Sequence, residues 1–225
     1  MRQPGAARSL AVIKIGGSLC GDPKLGLWLD AISSLTSPVI IVPGGGPFAD
    51  AVRQTQFRMG FSDKAAHHMA LLAMAQNAQA LCDLNARLTL CEMEDDFEEA
   101  WVRRLIPVWS PYGLVRHRED IPQSWDMTSD SLAAWLAGEF GARFVLLVKS
   151  AAPTQAGVLA HDVAASGVVD PLFPKYLAKS GAEAIWLGPD DWPKAPQAIK
   201  GEAGAGARIV NAPAERITVG IKRAG

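Results

Sequence analysis

Cysteine is scarce: Cys20, Cys82 and Cys91 are the three in 225 residues, and no two stand in a CxxC or a Cys/His ligand spacing. Neither a disulfide framework nor a cysteine-built metal site is indicated, and a reduced, cytoplasmic setting is the simplest expectation. Charge of one sign is lacking too. Lys and Arg number 22 against 23 Asp and Glu, a formal net charge of -1. No long-range field would draw such a chain to nucleic acid or an anionic membrane, so any anion site must be local. No apolar run approaches the ~20 residues of a membrane helix, and the opening "MRQPGAARSL" lacks the apolar core of a signal peptide. No GxxxxGK[ST] occurs, and neither of the two glycine loops described below is a GxGxxG. P-loop and dinucleotide-binding readings therefore have no support.

What is there is a globular composition, 49% hydrophobic and 20% charged. The length fits one domain over residues 1–225, long enough to bury roughly 70% of its unfolded surface. Strand-length apolar runs at 10–15, 38–43, 105–111, 143–149, 183–187 and 217–221 alternate with helical patterns at 25–35, 47–59, 128–140 and from 62 or 63 to about 87. Pro47 suits a first helical position, and Ser62 or Asp63 suits a cap. Residues 151–162 and the glycine-rich 201–206 read as loops, the latter mobile or a second ligand contact. Strand–helix alternation predicts an α/β fold, a largely parallel sheet with helices on both faces. Ligands in such folds bind beyond the carboxyl ends of the strands, which groups Gly16, Gly44 and Lys149 on one edge.

Three stretches could carry chemistry. In "AVIKIGGSL", Lys14 interrupts a buried strand and Gly16-Gly17-Ser18 follow it. Bare glycines let N–H groups approach an anion, and a lysine adds a point charge. The plain alternative is a strand end with a snorkelling lysine. In "VPGGGPFADAVR", Gly44, Gly45 and Gly46 join a strand to a helix, the arrangement for an anion at a helix N-terminus or an ordinary connecting loop. In "WDMTSDSLAAWLAGEFGA", Asp126 and Asp130 lie four apart at a helix entry. They either hold a lysine or a metal or are the acidic residues a helix start favours.

"IKIGGSL", "IIVPGGG", "TSDSLAAWLA" and "FVLLVKS", in this order, resemble the amino-acid kinase family, which includes acetylglutamate kinase, aspartokinase, uridylate kinase and isopentenyl phosphate kinase. The resemblance covers roughly residues 10–150 and runs more loosely to the end. It implies a three-layer αβα sandwich and transfer of the ATP γ-phosphate to a small acceptor, with Mg2+ carried in by ATP and a homo-oligomer, dimer or higher, as the assembly. It also implies Lys14 on the transferring phosphate, with Gly16, Gly17 and Ser18 beside it. Gly44, Gly45 and Gly46 would hold the acceptor's anionic end or the transferred group, and Asp130 would orient the catalytic lysines. Lys149 and Ser150 would lie by the nucleotide, and Gly206, in "GAGARIV", would match a loop near the adenine. The family's second catalytic lysine falls on Lys175 or Lys179, with Lys175 preferred because it follows Pro174 near a helix start. One departure stands out: an aspartate-rich loop usually follows the Lys149 strand, and here the chain reads "KSAAPTQAGV".

On the acceptor side, residues 62–81 resemble the acceptor helix of uridylate kinases, and Ala66-His67-His68-Met69-Ala70 is closest to small relatives that convert aminomethyl-furan-methyl phosphate to its diphosphate. Uridylate, isopentenyl phosphate and amino-acid carboxylates are the other acceptors the family offers. The resemblance implies His67 on the acceptor phosphate, unless it is simply a polar helix residue. Asp63 would pair with an ammonium group or cap its helix. Asp126 falls where several relatives carry an asparagine on the substrate side. Arg53 or Arg58 could add positive charge. A non-catalytic nucleotide-binding or sensor protein is the rival reading, favoured by the altered loop after Lys149.

Overall fold

The runs AVIKI, VIIVP and FVLLV read as unbroken apolar segments because all five residues of each are buried, one set of side chains on either face of the sheet. The computed structural model describes residues 10–211; the strand expected over 217–221 lies outside them. In chain order the elements are β1 (Ala11–Ile15), α1 (Lys24–Ser33), β2 (Val39–Pro43), α2 (Gly46–Met59), α3 (Asp63–Leu84), β3 (Leu88–Cys91), α4 (Glu94–Val102), β4 (Ile106–Trp109), α5 (Tyr112–Val115), α6 (Ser129–Phe140), β5 (Phe144–Val148), β6 (Gly157–Leu159), α7 (Ala160–Ala165), α8 (Phe173–Ser180), β7 (Glu183–Leu187), α9 (Ala195–Ala198) and β8 (Ala207–Val210).

The eight strands form one sheet in the order β3-β4-β2-β1-β5-β7-β8-β6. The first six run parallel; β8 is antiparallel to β7, and β6 lies parallel to β8. This is the largely parallel α/β sandwich expected. Strand alternation divides the core. Val12, Val145 and Leu147 face Leu132, Ala133 and Leu136 of α6. Ala11, Ile13, Phe144 and Leu146 face Trp28 and Ile32 of α1 and Ala198 of α9. After β1 the chain moves to β2 on one side and later returns to β5 on the other. The carboxyl ends of β1 and β5 therefore flank the switch in strand order, where open α/β sheets bind ligands.

Element boundaries differ from the sequence reading in physical ways. The helix starting at Asp63 is capped by the Ser62 hydroxyl, which accepts from the Ala65 N–H at 3.3 Å. It stops at Leu84 rather than 87, because Asn85 takes an extended conformation, φ -148° and ψ 116°. Edge strand β3 and helix α4 carried no signal that stood out. The strand is four residues long, and α4 begins after Met93, not one of the usual capping residues. Within 151–162, read as loop, lies the three-residue edge strand β6. Residues 201–206 form the turn that feeds β8.

Candidate active site

Strand parity puts two lysines over α6. Lys14 shares the face of Val12, and Lys149, the first residue beyond β5, continues that of Val145 and Leu147. The α6 helix brings Asp130 down between them from its first turn, where the helix dipole favours a negative charge. Lys14 Nζ lies 3.0 Å from Asp130 Oδ1. Lys149 Nζ donates to both carboxylate oxygens at 2.7 Å. Burial alone would push the Asp130 carboxyl up, but Lys14 and Lys149 together outweigh it and hold the group below the usual carboxylate range. Burial, then the Lys14 charge, push the Lys149 ammonium down to about 8, against the pull of Asp130. Two cations share one anion, so the cluster is one counter-charge short. A phosphate oxygen has the charge that such a cluster suits.

The glycine loops sit beside this cluster, pressed backbone to backbone. A Cβ on Gly17 would lie 2.3 Å from Gly46 N, and one on Gly44 would lie 2.3 Å from Gly17 N. No side chain fits at either position. The N–H groups are not equivalent, however. Gly16 N donates to Val148 O at 2.9 Å and Gly44 N to Ile15 O at 2.8 Å, so those two brace strands β1, β2 and β5 at their ends. Gly17, Gly45 and Gly46 donate to no backbone carbonyl among the described residues. Their N–H groups, with the N-terminus of the fourteen-residue α2, are the donors available to an anion. Buried Asn77 on α3 fixes the second loop, its Nδ2 donating to Gly44 O at 2.6 Å.

A cavity of about 410 Å³ opens from these loops between α2 and α3, roofed by Ser124, Trp125 and residues 127–129. Gly17, Ser18 and Gly44, Gly45 and Gly46 line one end, and Asp50, Arg53, His67 and Trp125 line the rest. Arg53 sits over Trp125, its guanidinium carbon 3.7 Å from the ring centroid, and Trp125 Nε1 donates to Gln56 Oε1 at 2.7 Å. His67 is buried; its Nδ1 lies 3.4 Å from Ser124 O, and its Nε2 has no partner among the described residues. Burial lowers the His67 pKa. A neutral ring donating from Nδ1 leaves Nε2 as an acceptor, which suits a donor better than the phosphate expected there.

The remaining expected residues stand apart from this centre. Asp63 is exposed and accepts from Gln56 Nε2 at 2.8 Å, and Asp126 is exposed; neither lines the cavity. Ser150 is exposed just beyond Lys149. Gly206 is packed: a Cβ there would lie 2.7 Å from the Trp186 carbonyl oxygen. Lys175 is not brought to Asp130. The α8 helix buries Phe173, Tyr176 and Leu177, so Lys175 and Lys179 are left exposed, each ammonium near the Tyr176 ring, at 5.7 and 5.9 Å from its centroid. The second lysine on Asp130 is Lys149. Asn77, Trp125 and Asp170 were not singled out in the sequence. Only their tertiary contacts mark them, although "VVD", ending at Asp170, is an acidic group in an apolar setting.

Residues 9–152 match the sequence model of the amino acid kinase family. The chain belongs to that family. The chain is 28% identical over 142 residues to the [5-(aminomethyl)furan-3-yl]methyl phosphate kinase of Methanocaldococcus jannaschii, a match covering 60% of this chain and 63% of that relative's length. Its fold is also that of uridylate kinase from Archaeoglobus fulgidus, at a TM-score of 0.67 and 19% identity, covering 89% of this chain and 99% of that one. UMP kinase from Bacillus anthracis superposes at a TM-score of 0.70 and 15% identity, covering 91% and 97%. Among the described residues, no helix is long and apolar enough to cross a membrane.

Proposed function

We propose that this amino acid kinase transfers the γ-phosphoryl group of ATP to a small acceptor that already carries a phosphate, giving a diphosphate and ADP. One observation carries the reading: Asp130 sits between the ammoniums of buried Lys14 and half-buried Lys149, beside glycine N–H groups that have no backbone partner among the described residues. Phosphoryl transfer asks a protein mainly for position and for positive charge on the phosphate oxygens. Lys14 and Lys149 supply the charge, and Gly17, Gly45 and Gly46 supply N–H donors. Asp130 is engaged with both lysines, so it aims them rather than taking a proton. An acceptor arriving as an anion needs none taken, which favours a phosphate monoester over an alcohol. Magnesium enters with the nucleotide.

For the acceptor, the relative's aminomethyl-furan-methyl phosphate fits best. The cavity suits a molecule of that size, with the glycine loops at one end for its phosphate. Asp50 on the wall offers a carboxylate to the ammonium, and Trp125 offers an aromatic surface to the ring. Exposed Met69 and Leu72 on α3 support self-association through that helix. The test is ADP release from ATP and magnesium across aminomethyl-furan-methyl phosphate, isopentenyl phosphate, UMP, acetylglutamate and aspartate. Turnover confined to the first supports the reading. Turnover confined to another reassigns the acceptor, and tight ATP binding without turnover on any of them would favour a sensor.

A further inference from the structure

The α6 helix delivers Asp130 to the two lysines, yet its own cap residue does not cap it. Thr128 makes no side-chain hydrogen bond to the N–H groups of the first turn. Of those donors, the Ser131 N–H is satisfied from across the fold, by Asp170 in the segment between α7 and α8. Asp170 Oδ2 accepts from Thr128 N at 3.1 Å, Thr128 Oγ1 at 2.8 Å and Ser131 N at 3.0 Å. The Ser131 hydroxyl donates to Asp170 Oδ1 in a very short contact. Two residues on, Leu172 N donates to Asp126 O at 3.2 Å, pinning the approach to the helix as well. Asp170 is buried, 8% exposed. It stands beside Asp130, whose charge, after burial, raises its pKa. Burying a second carboxylate next to the first is costly unless hydrogen bonds repay it. Here every side-chain bond it accepts comes from Thr128 and Ser131, one on either side of Asp130 in the same turn.

We infer that Asp170 is a positioning residue for the phosphoryl-transfer centre: acting as a cap in trans, it fixes the first turn of α6 so that the Asp130 carboxylate meets Lys14 and Lys149. The inference rests on the kinase reading above for its consequence in turnover, but not for its geometry. The Asn variant separates the hydrogen bonds from the charge. An amide oxygen placed at Oδ2 keeps three donors, and the amide N–H can donate to the Ser131 hydroxyl, so Asp170→Asn preserves the frame. Asp170→Ala removes it.

The experiment measures kcat and KM for both variants with ATP and the acceptor on which the wild-type chain turns over, well below each variant's melting temperature. In parallel, the Lys149 ammonium is titrated by NMR with 13Cε-labelled lysine. Asp170→Ala should lose about 100-fold in kcat, with each KM within threefold, and its Lys149 pKa should move by more than half a unit. Asp170→Asn should stay within fivefold of wild type, with Lys149 little changed. A variant Asp170→Ala that melts lower but keeps kcat and the Lys149 titration would overturn the inference, leaving Asp170 a purely structural residue. Equal damage in Asp170→Asn would overturn it too, since charge rather than hydrogen bonding would then be at work. If Asp170→Ala does not fold, the double variant Thr128→Ala, Ser131→Ala strips the two hydroxyl donors. About a tenfold loss in kcat at constant KM is expected there, and unchanged kcat overturns the inference. A wild-type chain without turnover would sink the kinase reading alone, because the Lys149 titration still reads the geometry.

Discussion

Two pairs of lysines on this chain have the same chemistry and opposite surroundings. Lys14 and Lys149 lie at the carboxyl ends of parallel strands, covered by α6 and joined through Asp130. Lys175 and Lys179 lie on the outer side of α8, over Tyr176 and in contact with water. A buried ammonium is an unstable object without a counter-charge and a reason to be there; an exposed one is an ordinary surface group. The comparison teaches that a lysine's surroundings here follow from strand parity and cover, and not from its distance in sequence to a family motif. It also separates the two glycine loops by function within themselves. Gly16 and Gly44 spend their N–H groups on the sheet, whereas those of Gly17, Gly45 and Gly46 meet no backbone carbonyl among the described residues.

The strongest way to break the buried pair is Asp130→Asn. It leaves two ammoniums facing one another without an anion, so about 3–5 kcal/mol of stability should go, together with nearly all turnover. Chemical denaturation and ADP release measure the two losses, and a fully active variant would contradict the arrangement. Lys14→Ala comes next. Asp130 keeps Lys149, so the fold should survive while kcat falls about 10²–10³-fold. A change confined to KM would speak against a transition-state role.

The Lys149 ammonium then predicts a pH dependence of opposite sign for activity and stability. Its folded pKa is about 8, below the ordinary 10.5, so the phosphate-binding charge should be lost as pH rises through about 8, and kcat/KM should fall on that limb. The same depression means the fold bears the cost of a buried charge below pH 8 and is relieved of it between about 8 and 10.5. For this group the melting temperature should therefore rise across that window. Lys149→Arg should carry the alkaline limb of the rate profile upward, since a guanidinium does not titrate there. Trp125→Ala, which frees Arg53 and removes the cavity wall, should raise the acceptor KM several-fold with kcat little affected. The smallest effect belongs to Lys175→Ala. Turnover within twofold of wild type is expected, and a loss above tenfold would return the second catalytic lysine to α8.

Much of this was legible in the sequence. β-branched and apolar runs at regular spacing dictate parallel strands buried on both faces, and the glycine pairs after two of them mark where backbone must approach backbone. Lys14 stood out because a charge inside a buried run needs a partner, and Asp130 as one of two carboxylates at a helix entry. The sequence could not say which partner. Lys149 and Asp130 are nineteen residues apart, Thr128 and Asp170 forty-two, and Gly44 and Asn77 thirty-three. No local period relates them. The sequence determined the central strands and the longer helices, because burial pattern and turn chemistry act over a few residues. Only the tertiary structure decided which lysine, which N–H and which carboxylate meet, because the order of strands and the seating of α6 bring distant side chains within hydrogen-bond range.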